Sequence, residues 1–183
     1  MCAAGQLIHV VEYFYTSIAL IDINVHTSTS LTETEVDLNI FPDATELLQT
    51  YDGGVDVSCD LIFLRNGPIG SFSAGFDGSI DSDEEQDLVW AQTGRAKVVN
   101  RVNWCNGPPP GDARGCSGGV SIVVERAPSS IEGVLWAHEY GHHWGLWLPI
   151  SGGHEDDSNR LGYEDIVSTA RQVTLSECNI MRN

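Results

Sequence analysis

The sequence is poor in positive charge. Nine of its 183 residues are Lys or Arg against 26 Asp or Glu, which leaves a formal net charge of −17. A surface of that sign repels phosphate backbones and anionic lipid headgroups, so nucleic acid and membrane surfaces are excluded as partners and cations become natural company. Nor is there any run of about 18 apolar residues, the length a membrane-spanning helix needs. The N-terminal stretch MCAAGQLIHVVEYFYTSIALI lacks a basic n-region and carries His9 and Glu12 within its apolar part. It does not read as a signal peptide, and a trimmed mature form with an added Met1 is expected. No Cys-x-x-Cys pair occurs, which removes cysteine-based zinc sites. Internal repeats and low-complexity linkers are absent too, and the length suits one domain, residues 1–183, with its own core.

What is present is the composition of a globular protein, 42% hydrophobic and 19% charged. Five cysteines point to an oxidising compartment. Cys105 and Cys116 bracket the Pro/Gly loop NGPPPGDARG and are expected to pair; one further bridge is expected among Cys2, Cys59 and Cys178, with the partners open.

Strand-like runs rich in Val, Ile, Tyr and Phe cover Leu7 to Tyr15, Ile18 to His26, VDVSCDLIFLR, AKVVNRVNW and VSIVVE. In the second run Ile21, Ile23 and Val25 alternate with Asp22, Asn24 and His26, which predicts one buried and one wet face. Helices are predicted from Pro42 in PDATELLQTY, from the Ser82/Glu85 capping box, from the Ser129/Glu132 box and from the Thr174/Glu177 box. Strands and helices are interleaved, so the fold class is α/β: a mixed, twisted sheet packed with a long helix and a few others.

That long helix carries the chemistry. It contains HEYGHHWG, with His138 and His142 one turn apart on one face, where both imidazoles can reach a single zinc ion at about 2.0–2.1 Å. Glu139 flanks the same point and is placed to move protons as general base and acid. Two histidines are not enough, because a catalytic zinc takes three protein ligands and keeps one open position. Two histidines that merely happen to lie four apart are the bland reading of the same letters.

HEYGHHWG resembles the signature of the metzincin metallopeptidases, in which a Gly follows the second His by three residues and a third His comes three beyond that. Gly145 occupies the glycine position, but the next falls on Leu148, which cannot bind zinc. The segment HEDDSNRLGY is similar to the stretch running from the third His to the Met-turn in matrixin-like members, with Gly162 at the Met position. The resemblance therefore implies His154 as third ligand behind an insertion around WLPISG; the other reading is a solvated His154 with Asp156 or Asp157 binding in its stead, or no third ligand. It implies a softer floor and a cavity at Gly162, with Met181 as a rival Met-turn residue. It further implies a secreted zinc endopeptidase acting on peptides or proteins, expected to be a monomer. A metzincin-like domain that has lost catalysis and serves as a binding or structural module is the alternative.

In the family an antiparallel edge strand lines the cleft. GGVSIVVE is the candidate here, with an ordinary interior strand as the other reading. Asp77, Ser79, Asp81 and Asp83 alternate as calcium ligands would, although the EF-hand glycine and terminal Glu are missing and a capped helix start explains them as well. His143 is expected to point away from the metal face, and His9 and His26 have no case as ligands. Trp136, Trp144 and Trp147 read as packing, with Trp147 also able to line the cleft.

Overall fold

Short apolar runs broken by polar residues make short strands. The computed structural model describes residues 16–47, 49–52, 55–107, 113–118, 121–147 and 154–182. In chain order the strands are β1 (Ser17–Ile21), β2 (Ile23–His26), β3 (Gln49–Asp52), β4 (Val55–Ser58), β5 (Leu61–Arg65), β6 (Gly70–Phe72), β7 (Ser79–Ile80), β8 (Ala96–Val99), β9 (Arg101–Val102), β10 (Gly115–Gly118), β11 (Ser121–Glu125) and β12 (Gln172–Val173). The helices are α1 (Glu33–Glu35), α2 (Phe41–Leu47), α3 (Asp83–Trp90), α4 (Glu132–His143) and α5 (Leu175–Met181), with a π-helical turn, Val36–Ile40, joining the first two.

The main sheet has the order β10-β11-β8-β2-β6. Its pairings are parallel except the first, where β10 runs antiparallel to β11. Every residue of β8 is buried, and so are four of five in β11, as expected of parallel strands covered on both faces. Ala96, Val98, Ile122 and Val124 join one apolar cluster with Phe41, Val134, Leu135 and Ala137 of the α2 and α4 layer. Val99 and Val123 face the other way, into a second cluster with Ile80 and Val89 near α3. The mixed α/β class expected from the sequence is the one observed.

Several predicted strands are divided. The run from Ile18 to His26 breaks at Asp22: β1 pairs with β5 in a two-stranded sheet, while β2 enters the main sheet. The alternation also fails at His26, which is buried, bonded to Ser28 Oγ and Ser73 O, and packed against Phe72 and Phe76. VDVSCDLIFLR breaks at Asp60, whose φ of 49° cannot continue a strand. GGVSIVVE supplies an interior strand, β11; the antiparallel edge is β10, one segment earlier. The helix predicted from Pro42 starts far sooner, at a Thr32–Glu35 capping box with both reciprocal bonds formed. The predicted strand from Leu7 to Tyr15 lies outside the described residues.

Among the described residues two disulfides are present. Cys105–Cys116 is the expected one, and Cys59–Cys178 ties the start of β5 to α5. Among the described residues no helix is long and apolar enough to cross a membrane.

Candidate metal centre

Helix α4 is buried along nearly its whole length, from Glu132 to Gly141. The predicted Ser129/Glu132 box does not form: Ile131 is the N-cap and makes no side-chain bond. The Glu132 carboxylate is taken instead by Arg126, with Nε donating to Oε1 at 2.5 Å. Charge-assisted bonds of this kind outcompete a neutral cap, and Glu132, only 4% exposed, needs one. At the other end Gly145 adopts φ 78°; its N–H donates to His142 O, and Leu146 N–H to Gly141 O. These are the two bonds of a Schellman termination, which reverses the chain under the helix end.

The reversal brings three imidazoles together. His142 Nε2 lies 3.0 Å from His138 Nε2 and 3.3 Å from His154 Nε2. Donors about 2.0–2.1 Å from one tetrahedral ion stand about 3.3 Å apart, so the spacing is that of a metal tripod. Among the described residues, this is the group of His, Cys, Asp or Glu side chains that could hold a metal ion. His138 Nδ1 is 2.7 Å from Leu161 O, a carbonyl that can only accept; the hydrogen is therefore on Nδ1 and the Nε2 lone pair faces the common point. Burial, reinforced by the neighbouring imidazoles, pushes His138 down to about 3 and His142 to about 4. Both are held neutral, as ligation requires.

His154 stands among them because the 154–163 segment folds back on itself. Glu155 N–H donates to Gly162 O at 2.7 Å, Leu161 N–H to Gln172 O at 2.8 Å, and Glu155 bridges Tyr163. Asp156 and Asp157 stay exposed, and Asp157 Oδ1 caps Asn159 N–H. Leu148 and residues 149–153 of the expected insertion lie outside the described residues.

Glu139 is 5% exposed, and burial raises its carboxyl to about 8. It lies against β10: a Cβ on Gly115 would be 2.4 Å from Glu139 Oε1 and 2.6 Å from Cδ. Gly115 was not legible as a site residue, because its role depends on which strand reaches the helix.

The cavity expected at Gly162 is absent. Trp147 fills it: a Cβ on Gly162 would lie 2.5 Å from Trp147 Cε2 and Nε1. The indole stacks on His138 at 5.4 Å and 23° and meets His142 edge-on at 5.2 Å and 88°. Met181, the rival, is buried in the main apolar cluster from α5. His143 is half-buried between Tyr140 and Trp144, outside the tripod.

The alternating acids form no metal cluster. Asp77 Oδ1 accepts from Ser79 N–H, Asp81 Oδ1 from Asn103 and Asp83 Oδ1 from Trp104, so these oxygens serve the chain itself. The calcium expectation has no support there.

The sequence matches no family model and no curated protein. In three dimensions the chain is similar to mature mirolysin of Tannerella forsythia, solved in complex with a cleaved peptide. The TM-score is 0.63 at 10% sequence identity, over 93% of this chain and 92% of that one. At that identity the likeness is one of fold.

Proposed function

We propose that the protein is a zinc-dependent endopeptidase of metzincin type, with His138, His142 and His154 as the ligands and Glu139 as general base and acid. The carrying observation is the convergence of three imidazole nitrogens at tetrahedral spacing, two of them on the helix that also carries Glu139. Zinc in that position would supply Lewis acidity toward a substrate carbonyl and acidify a water molecule.

The remaining work falls to the chain. Next to a cation, Glu139 ionises more readily than burial alone allows, and its carboxylate oxygen accepts a proton from the attacking water. The same oxygen then delivers that proton to the departing amine nitrogen as the peptide bond breaks. Strand β10 ends the described sheet order, so a substrate can add beside it as a further strand, through backbone hydrogen bonds. The fold likeness to a protein that holds a cleaved peptide supports a peptide as substrate. Two disulfides support an oxidising, extracellular setting.

The test is zinc stoichiometry and casein hydrolysis, measured on wild type, Glu139→Gln and His154→Ala. The wild type is expected to hold one zinc and cleave. Glu139→Gln keeps its zinc and loses about 10²–10⁴-fold in turnover, whereas His154→Ala loses the zinc. Turnover that survives Glu139→Gln would overturn the mechanism. Zinc without cleavage in the wild type would leave a binding module.

A further inference from the structure

We propose that Trp147 is the positioning residue of the metal centre: its indole forms the floor under His138 and His142 in space that Gly162 and Gly141 leave open. The inference rests on the metal-centre reading above.

Space is the first argument. A Cβ on Gly162 would come within 2.5 Å of the five-membered ring, and one on Gly141 within 2.5 Å of Cη2 at the far end. The indole is thus wedged between α4 and the turn carrying Leu161. Gly162 does not have a left-handed φ, so its lack of a side chain serves room and not backbone conformation. Trp147 is the reverse case. Its φ is 60°, a left-handed region that bulky residues rarely occupy. Such a conformation persists when the surroundings over-determine it.

Those surroundings are visible. Trp147 Nε1 donates to Glu177 Oε1 at 2.9 Å. Glu177 Oε2 accepts from Arg160 and from Thr174 N–H, both at 2.5 Å, and the next residue is Cys178 of the bridge to Cys59. The ring plane is therefore set from the first turn of α5.

The consequence for the histidines follows from their own bonds. The Leu161 carbonyl fixes where His138 Nδ1 points, yet leaves the ring free to rock about that bond. An indole stacked at 23° blocks the rocking, and its edge limits His142 at 88°. Groups that orient ligands in this way typically carry ten- to hundredfold in metal affinity, about 1.4–2.8 kcal/mol.

The experiment measures zinc affinity by chelator competition and the visible spectrum of the cobalt(II) form. The proteins are wild type, Trp147→Phe, Trp147→Ala, Gly162→Ala and the Trp147→Ala/Gly162→Ala pair, with circular dichroism as a folding control. Trp147→Ala is expected to weaken zinc about ten- to hundredfold and alter the cobalt bands, while Trp147→Phe keeps most of the affinity. Gly162→Ala, which keeps the indole but pushes it out of its seat, is expected to weaken zinc in the wild-type background and to cost nothing further beside Trp147→Ala. If Trp147→Ala does not fold, the losses in Gly162→Ala and their absence in Trp147→Phe carry the test. Wild-type affinity and bands in Trp147→Ala overturn the proposal, as does an equal Gly162→Ala loss in both backgrounds. A wild type that binds no zinc is a different failure: it removes the metal-centre reading, and the floor with it.

Discussion

Gly115 and Glu139 are 24 positions apart in sequence, yet one methyl group on the glycine would touch the carboxylate. Gly115→Ala is therefore expected to displace Glu139 and leave the histidines in place. Casein turnover falls about 10²-fold, the usual penalty for moving a reacting group by an ångström, at unchanged zinc content. Normal turnover in that variant would show that Glu139 does not need its observed position. Lys97 is a second single-residue case. It is 1% exposed, its Nζ reaches Ser121 Oγ at 2.5 Å, and burial lowers its pKa from 10.5 to about 8. Between those two values the unfolded chain binds a proton that the folded chain gives up, so stability rises with pH across the window. Below about pH 8 the cost of burying the ammonium is fully present. Lys97→Met is expected to raise stability at pH 7 by on the order of 1–3 kcal/mol and to flatten the rise from pH 8 to 10. Urea unfolding at each pH checks this; parallel curves for the two proteins would refute it.

At the scale of elements, α4 depends on what meets its first turn. Arg126 donates to Glu132, to Glu35 at 2.9 Å and to the Ser30 carbonyl, so one guanidinium joins the site helix to the start of α1. Glu35 is pulled down to about 2, first by its Thr32 cap and then by Arg126. Arg126→Ala strands the buried Glu132 and is expected to cost about 2–4 kcal/mol in urea unfolding, part of which Arg126→Ala/Glu132→Gln restores. A double variant no more stable than the single one would place the loss elsewhere. The capping boxes show where local reading holds and where it stops. Thr174/Glu177 forms in full. Ser82 accepts from Glu85 N–H, but the Glu85 carboxylate turns to Asp81 N–H. Ser129/Glu132 fails because Arg126, six residues before the glutamate, offers a stronger partner. The spelling is alike in all three; the competition is not.

For the whole molecule, the helix-borne pair His138 and His142, the stop at Gly145, the Cys105–Cys116 bridge and the α/β class could all be read from residues. So could the net acidity of the chain. Each rests on interactions spanning a turn or a short loop, or on charge simply summed. The sequence by itself could nominate His154 only through the spacing of a resembling family. Its arrival 3.3 Å from His142 depends on the backbone bonds of the 154–163 segment. Tertiary structure alone decided that β10 is the antiparallel edge, that Gly115 yields to Glu139, and that Trp147 occupies the space at Gly162. Those outcomes depend on sheet order and on volume shared by segments far apart in the chain, and no local pattern encodes which two surfaces will meet.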